Sequence, residues 1–354
     1  MGPALRDAVL RGGEQMDLAE LYRVANAMVA PGKGVLAADE SAGTVKKRFE
    51  AIGVESTEDN RRDYRELLFR SKGMANISGV ILFDETIRQK AKDGTPLVKV
   101  IEQAGTFPGI KVDKGTKPLP FCPGEVVTEG LDGLRERLME YRDLGAKFCK
   151  WRAVIDIGPG IPSYDCVKAN AHALARYAAL CQDETLVPIV EPEVLMDGDH
   201  DIGRCYEVTE LALKTLFQEL YVARVKLEGM VLKPNMVVPG KKSLKQASVD
   251  EVAEKTLRVL KECVPAAVPG IAFLSGGQSD VDATARLNAM NRLGGGPWKL
   301  TFSYSRALQA APQKAWSGKV ENAGAAQQAF AHRAAMNGLA SIGKWSPELE
   351  KQAA

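Results

Sequence analysis

A single lysine stands between an apolar segment and a proline. In VKLEGMVLKPNMVVPG, residues 225–240, an apolar run ends in Lys233, and Pro234 follows it. Lysine is almost never fully buried unless it is paired, because burying an unpaired charge costs free energy or shifts the pKa instead. From this segment alone, the favoured interpretation is a lysine at the exposed end of a strand. A chemical role for Lys233 needs support from other parts of the chain.

Other apolar segments also end in residues that can take part in chemistry. These residues are Asp39, Lys111 and Asp113, Lys150 and Arg152, Glu191 and Glu193, Ser275, and Arg306. The sets of two are i, i+2 pairs, and both members of such a pair lie on the same face of a strand. Each pair alone could be a solvated strand end. Together with Lys233 they indicate one shared site, whereas Asp84, which ends another segment, is expected at the surface.

The residue types at this predicted site suit an aldol reaction. Beside Lys150, a buried Lys233 would experience desolvation and a neighbouring cation, and both lower its pKa. A shift from about 10.4 to about 7–8 corresponds to roughly 4 kcal/mol. The neutral amine can attack a ketone and form a Schiff base, while Glu191 and Glu193 can move the protons needed for dehydration. The protonated iminium then accepts the electrons of the adjacent carbon–carbon bond as it breaks.

Two further segments have features of a phosphate-binding site. LSGGQSD, residues 274–280, passes through Gly276 and Gly277 into a helical pattern, so that backbone N–H groups can converge on an anion. FSYSR, residues 302–306, ends in Arg306, whose guanidinium can bind phosphate through two N–H groups. A second phosphate could bind after the first strand, where the chain offers Ser41, Thr44, Lys46, Lys47 and Arg48. A solvated helix start explains this last group equally well.

Eight β-type segments must position these residues. The segments are 34–39, 79–84, 109–113, 146–155, 186–194, 226–233, 270–275 and 299–306. The segments between them have helical periodicity; for example, Leu131, Leu134 and Leu138 lie on one face of a helix. Thr128 is the predicted N-cap of that helix. Further helices are predicted over 17–29, 249–264, 280–294 and 323–340.

The order of these segments predicts the fold. Strands that alternate with helices predict right-handed βαβ units and a parallel sheet. Eight such units without a linker favour one closed (β/α)8 TIM barrel over a doubly wound sheet. We therefore expect a single catalytic domain over residues 1–354, with additional N- and C-terminal helices and a C-terminal tail from about residue 340. In such barrels the active site lies at the C-terminal ends of the strands, where the chemical residues fall.

Composition limits the functional classes. The 354 residues carry a net charge of +2 without a basic tail, so nucleic acid is not an expected partner. No apolar run approaches the roughly 20 residues that span a membrane, and no secretory signal is present, so we expect a cytoplasmic protein. The six cysteines are scattered and are expected to be free thiols. The three histidines are far apart, so a histidine-built zinc site is not expected, and we predict no metal and no cofactor.

Ten segments resemble motifs of the class I fructose-1,6-bisphosphate aldolases, in the family's order and from about residue 15 to 345. They are ADES (38–41), EDNRRDYRELLF (58–69), GVILFDET (79–86), GIKVDKG (109–115), KWR (150–152), PIVEPE (188–193), DGDHD (197–201), LKPNMV (232–237), FLSGGQS (273–279) and TFSYSRALQ (301–309). The resemblance implies a homotetrameric Schiff-base enzyme. It would reversibly cleave the sugar phosphate fructose 1,6-bisphosphate into dihydroxyacetone phosphate and glyceraldehyde 3-phosphate, without a metal, in glycolysis or gluconeogenesis.

The resemblance also implies roles for individual residues. Lys233 would be the Schiff-base nucleophile, and Glu191 the acid and base of dehydration, with Glu193 assisting. Asp39 would handle the proton of the C4 hydroxyl, and Lys150 would be the cation beside the reacting carbons. The first phosphate would be bound by Ser275, Gly276 and Arg306, with Gly277 and the backbone N–H of Ser305 beside them. The second would be received by Lys111, Ser41, Thr44 and Arg48, while Arg152 would support the charge network.

Two features depart from the family pattern. Ser305 stands where the family usually has glycine, and its backbone N–H can still reach a phosphate unless φ must be positive. Family members commonly end in a tyrosine that assists proton exchange at the enamine, whereas here no tyrosine follows Tyr304. Either the tail is naturally short, or another acid serves that step.

Two alternatives stay open from the sequence. One is a Schiff-base aldolase or transaldolase that acts on another sugar phosphate, such as sedoheptulose bisphosphate. The other is a non-catalytic barrel that serves as a binding scaffold, although a scaffold has no need for four costly charges in one barrel mouth.

Overall fold

The structure of the protein, a computed structural model, describes residues 16–353. Its strands are β1 (Gly34–Ala38), β2 (Ile77–Leu82), β3 (Phe107–Lys111), β4 (Thr116–Pro118), β5 (Val126–Thr128), β6 (Phe148–Ile155), β7 (Val187–Val194), β8 (Val231–Leu232), β9 (Gly270–Phe273) and β10 (Lys299–Tyr304). Its α-helices are α1 (Leu18–Met28), α2 (Ala42–Glu50), α3 (Glu58–Phe69), α4 (Asp84–Arg88), α5 (Leu97–Gln103), α6 (Leu134–Asp143), α7 (Tyr164–Asp183), α8 (Ile202–Val222), α9 (Val249–Cys263), α10 (Asp280–Arg292), α11 (Arg306–Trp316) and α12 (Ala323–Ala340). In this part of the chain, no helix combines the length and the hydrophobicity that a membrane crossing requires.

Eight of the strands close into a parallel barrel in the order β1-β10-β9-β8-β7-β6-β3-β2. Helices follow the strands along the chain, so the predicted (β/α)8 barrel is confirmed. The other two strands, β4 and β5, pair antiparallel in a hairpin between β3 and β6. The sequence analysis did not predict this hairpin.

The hairpin corrects one predicted helix start. Thr128 is not an N-cap, because it is the last residue of β5 and its hydroxyl donates to the carbonyl of Arg152, 2.8 Å away. Helix α6 begins only after Gly133, so Leu131 lies outside it. Gly130 and Gly133 have φ angles of 131° and 65°, which turn the backbone between the hairpin and the helix and which glycine adopts readily.

The predicted strand over 226–233 is too long. Leu227–Gly229 forms a 3₁₀ turn, and only Val231–Leu232 pairs with the neighbouring strands β7 and β9. Lys233 follows directly, and its backbone N–H donates to the carbonyl of Val190 on β7 at 2.8 Å. The lysine is therefore fixed at the C-terminal end of β8. The other predicted barrel strands agree with the observed bounds to within two residues at each end.

Apolar side chains fill the N-terminal end of the barrel. The ring of Phe148 lies against Gly79 and Gly109, and a Cβ on Gly109 would be only 2.3 Å from that ring. Helix α1 contributes Leu21 and Val24 to the same buried cluster, which contains inward-facing residues of the barrel strands. The space inside the barrel is therefore left at the C-terminal ends of the strands.

The C-terminal segment returns along the outside of the barrel. Helix α12 spans the residues predicted for it, and Ser341 behind it accepts a hydrogen bond from the loop before β1 at 3.1 Å. Pro347–Ala353 then forms a 3₁₀ helix. In it the carboxylate of Glu350 accepts hydrogen bonds from Arg333 at 2.5 Å and from Trp345 at 2.9 Å. Glu350 thus holds the predicted tail against α12.

Candidate active site

A cavity of about 390 Å³ opens at the C-terminal ends of the barrel strands. Of the site residues predicted from the sequence, Gly277, Lys46 and Lys47 do not line it, and the others do. Lys46 and Lys47 are exposed on α2. Gly277 lies in a turn where its φ is +73° and where a Cβ would approach the sulfur of Met196 to 2.2 Å. Glycine is required there by the backbone conformation and by that close contact. The three i, i+2 pairs all line the cavity, as the alternation of side chains along a strand predicts.

Four buried charged side chains form a row of alternating charge across the cavity. The Nζ of Lys233 lies 3.2 Å from Oε1 of Glu191, and Oε2 of the same glutamate lies 3.0 Å from Nζ of Lys150. Lys150 in turn donates to Oδ2 of Asp39 at 3.0 Å. None of these residues is more than 8% exposed. The row therefore extends from the end of β8 across β7 and β6 to the end of β1, and we call it the charge row.

The two lysines of the charge row differ in their electrostatic surroundings. Burial lowers the pKa of Lys233 below its ordinary value; Glu191 opposes this effect, and the positive charge of Lys150 adds to it. Burial also acts to lower the pKa of Lys150, but the negative charges of Asp39 and Glu191 outweigh it and raise that pKa. Lys233 is therefore the lysine that more readily becomes a neutral amine.

Both carboxylates of the charge row favour the ionised form. Burial acts to raise the pKa of Asp39, but Lys150 and Lys233 outweigh burial and lower this pKa to about 2. Burial likewise opposes the ionisation of Glu191, and the same two lysines lower its pKa. An ionised carboxylate in contact with a reacting group can accept a proton from it and return the proton later.

Further ion pairs lie beside the charge row. Arg152 pairs with Glu193, and Nζ of Lys111 lies 2.9 Å from Asp113. Asp113 also accepts a hydrogen bond from the backbone N–H of Arg152 at 3.3 Å, which connects the two pairs. Gly276 approaches them so closely that a Cβ there would lie 3.0 Å from Glu193. Glycine at this position therefore lets the loop after β9 come close to the charged centre.

The predicted phosphate-binding residues form two groups on the same cavity. In the first group, Ser275 follows β9 and Arg306 begins α11 directly after β10. The second group lies at the start of α2, where Ser41 is the N-cap and accepts a hydrogen bond from the backbone N–H of Thr44 at 3.4 Å. A helix N-terminus favours negative charge. One molecule with an anionic group at each end can therefore contact both groups.

Glu40 is a cavity residue that the sequence analysis missed. Its carboxylate is buried, pairs with Arg48 and lies 2.6 Å from Arg65. Ser305 donates to it at 2.8 Å and Gln309 at 2.7 Å. Because these partners come from distant parts of the chain, no spacing in the sequence connects them. The signal that could have found Glu40 is its place in the ADES segment.

Ser303 is a second residue that the sequence analysis missed. It lines the cavity and is 1% exposed, and its hydroxyl has no hydrogen-bond partner among the described residues. The i, i+2 pattern could have found it, since Ser303 precedes Ser305 by two positions and both line the cavity.

Asp84 lies outside this cavity. It begins α4, and its carboxylate accepts hydrogen bonds from Arg88 at 3.1 Å and from Tyr141 at 2.8 Å. Its side chain is 49% exposed, as expected for a surface position. Across residues 16–353, no three histidine, cysteine, aspartate or glutamate side chains are grouped as the ligands of a metal ion would be.

Known proteins are similar to this chain in sequence and in fold. The family model for glycolytic class-I fructose-bisphosphate aldolases matches residues 20–354. A probable class 1 fructose-bisphosphate aldolase of Xanthomonas campestris is 60% identical over 332 residues, which cover 93% of this chain and 99% of the relative. Fructose-bisphosphate aldolase 1 of Toxoplasma gondii is 54% identical over 329 residues, covering 92% of this chain and 91% of the relative. The crystal structure of the Plasmodium falciparum aldolase, in complex with TRAP and a small-molecule inhibitor, is 46% identical with a TM-score of 0.92, and the match covers 96% of this chain and 99% of that one. This chain belongs to the class I fructose-bisphosphate aldolase family.

Proposed function

We propose that this enzyme cleaves fructose 1,6-bisphosphate into dihydroxyacetone phosphate and glyceraldehyde 3-phosphate, and joins them in reverse, through a Schiff base on Lys233. The observation that carries the proposal is the asymmetry of the charge row. Lys150 lies between two carboxylates, whereas Lys233 contacts Glu191 and has a lowered pKa. The amine that can become neutral therefore stands beside a carboxylate that can move its protons.

Schiff-base formation uses Lys233 and Glu191. The neutral Nζ attacks the C2 ketone of the open-chain sugar, and the ketone oxygen takes up a proton from the solvent to give a carbinolamine. Glu191, 3.2 Å from Nζ, takes the proton that the nitrogen releases and delivers it to the departing hydroxyl, which leaves as water. The protonated iminium that remains draws electrons from the neighbouring carbons. Glu193, which lines the same cavity and pairs with Arg152, assists from β7.

Bond cleavage uses the other end of the charge row. Asp39 is ionised, with a pKa lowered to about 2 by the lysines around it. Its carboxylate accepts the proton of the C4 hydroxyl, the C3–C4 bond breaks, and the electron pair of that bond moves to the iminium to give an enamine. Lys150, 3.0 Å from Asp39, donates to the oxygen on which negative charge develops. Protonation of the enamine and hydrolysis of the imine then release the ketone product.

The two groups of phosphate-binding residues orient the sugar. Ser275, Gly276 and Arg306, with the backbone N–H of Ser305, bind the phosphate next to the ketone. Ser41, Thr44, Lys111 and Arg48 receive the phosphate at the other end. Arginine and the amides of a helix N-terminus both suit a phosphate dianion, which supports this assignment.

The experiment is reduction of the imine with borohydride in the presence of dihydroxyacetone phosphate. We expect one equivalent of covalent label at Lys233, located by peptide mass spectrometry, and no label in Lys233→Met. Lys299→Met is the matched control, because Lys299 is exposed at the start of β10 and we expect its variant to be labelled like the parent enzyme. Cleavage of fructose 1,6-bisphosphate by folded Lys233→Met at the parental rate would refute the mechanism.

We also propose that the enzyme works in the cytoplasm as a homotetramer, in glycolysis or gluconeogenesis. All six cysteines are free thiols and four of them are buried, which suits a reducing compartment. Tyr221 and Val222 at the end of α8 are 81% and 63% exposed, an apolar pair that a subunit interface would cover. The molar mass from light scattering tests the assembly state.

A further inference from the structure

The hydroxyl of Ser305 lies between an arginine and a glutamate of the cavity. It accepts hydrogen bonds from both terminal nitrogens of Arg48, at 3.1 and 3.2 Å, and donates to Oε1 of Glu40 at 2.8 Å. Ser305 also directly precedes Arg306 in the chain. It therefore adjoins one cavity arginine through the backbone and another through its side chain. The bridge is made by the hydroxyl oxygen of Ser305, which a glycine at this position would not have.

The cluster around Ser305 carries a surplus positive charge. Glu40 pairs with both Arg48 and Arg65, so these three residues together have one net positive charge. The side chain of Arg65 is 3% exposed, whereas that of Arg48 is 19% exposed and lines the cavity. The surplus charge is therefore presented to the cavity by Arg48, where an anionic group can reach it.

Ser305 fixes the guanidinium that presents this charge. Arg48 extends from α2 on a long side chain, and such a side chain loses conformational freedom when it binds a ligand. Contacts to both terminal nitrogens hold it in place before the ligand arrives. Without the hydroxyl, the contact of Arg48 with Glu40 involves one of these nitrogens, NH1.

We propose that Ser305 is a positioning residue that orients Arg48 toward the phosphate farther from Lys233, and that it thereby sets the preference of the site for sugar bisphosphates over sugar monophosphates. This inference rests on the proposed function, because it takes Arg48 as a ligand of that phosphate. A monophosphate such as fructose 1-phosphate has no group at that end for Arg48 to bind. The hydroxyl therefore contributes to one substrate class and not to the other.

The test compares kcat/KM for fructose 1,6-bisphosphate and fructose 1-phosphate in Ser305→Ala, Ser305→Gly and Ser305→Thr. The ratio of the two values does not depend on the fraction of enzyme that is folded, because both substrates report on the same active molecules. We expect the ratio to fall about tenfold in the alanine and glycine variants, chiefly through KM for the bisphosphate. Threonine retains a hydroxyl and is expected to keep the ratio within about twofold of the parent.

A double variant tests whether Ser305 acts through Arg48. Arg48→Ala should lower the same ratio, and Ser305→Ala combined with Arg48→Ala should lower it no further, because residues that act as one unit are not additive. A ratio unchanged in Ser305→Ala, or losses that add fully in the double variant, would overturn the inference. Failure of the proposed function looks different, since the parent enzyme would then neither cleave the two sugars nor form the imine at Lys233.

Discussion

The number of carboxylates around an amine decides what that amine can do. Lys150 contacts Asp39 and Glu191, each at 3.0 Å, and its pKa is raised, so it stays a cation near neutral pH. Lys233 contacts Glu191 at 3.2 Å, and burial together with Lys150 lowers its pKa. Two lysines of the same type, separated by one shared glutamate, thus acquire different chemistry from their neighbours.

The lowered pKa of Lys233 predicts how the rate of imine formation depends on pH. Only the neutral amine attacks a ketone, so the rate of imine formation should fall as the pH falls through the pKa of Lys233. Glu191 raises that pKa and Lys150 lowers it. We therefore expect the acid limb of the profile to move to lower pH in Glu191→Gln and to higher pH in Lys150→Met.

The measurement is the rate of borohydride trapping with dihydroxyacetone phosphate at a series of pH values. The position of the limb is compared, not its height, because both variants also lose catalytic contacts. Movement of the limb in the same direction in both variants would contradict the assignment of Lys233 as the titrating group.

At the scale of elements, two glycines make room for the ring of Phe148, which fills the N-terminal end of the barrel. Gly79 and Gly109 on the neighbouring strands β2 and β3 both lie against Phe148 at the start of β6, and a Cβ on Gly109 would be 2.3 Å from the ring. Real Cβ atoms do not approach a ring so closely, so the strand or the ring must shift if a methyl group is added. The barrel is packed closely at this end, and it is this packing that fixes the strands carrying the charge row.

Gly109→Ala is therefore expected to destabilise the protein by about 1–3 kcal/mol, the usual cost of overpacking a core. The matched control is Gly324→Ala in α12, where nothing lies within 4 Å of an added Cβ. Alanine there should be neutral or slightly stabilising, because it favours helix. Midpoints of urea unfolding measure both changes. Equal midpoints for the two variants would show that the ring of Phe148 can move aside without lowering the free energy of unfolding.

The elements also show which structural features can be predicted from the sequence and which cannot. The strands that bear Lys150 and Glu191 could be predicted because apolar runs and i, i+2 pairs are local patterns. The β4–β5 hairpin could not, because its three-residue strands carry no periodicity that distinguishes them from a loop. The ADES segment could have placed Glu40 near the site, but its burial could not be predicted, because it depends on Arg65 and Gln309, which the barrel brings together from distant positions.

At the scale of the whole molecule, the C-terminal segment connects the two faces of the barrel. Ser341 is bonded to the loop before β1, at the N-terminal face, and Trp345 donates its backbone N–H to Asn288 on α10 at 3.0 Å. Glu350 then pairs with Arg333, which also donates to the carbonyl of Asp280 at the start of α10. The segment therefore runs along α10 toward the face on which the cavity opens.

Glu350→Gln is expected to loosen this segment without unfolding the barrel. The substitution removes the charge that pairs with Arg333, and amide hydrogen exchange over residues 345–353 should become at least several-fold faster. Glu348→Gln is the control, because Glu348 is exposed and we expect its variant to exchange like the parent. Faster exchange throughout the barrel strands would mean instead that Glu350 stabilises the whole fold.

The filled N-terminal end of the barrel has a consequence for the order in which molecules leave. Phe148 and α1 occupy that end, so the sugar enters and both products depart on the side where the cavity opens. In the proposed mechanism the ketone fragment is still joined to Lys233 after cleavage, deep beside Glu191, whereas the aldehyde is held only by non-covalent contacts. The aldehyde therefore departs first, and the second departure waits for hydrolysis of the imine. Because both products leave through the same opening and one of them is covalently attached, product release is ordered whatever the relative affinities of the two products.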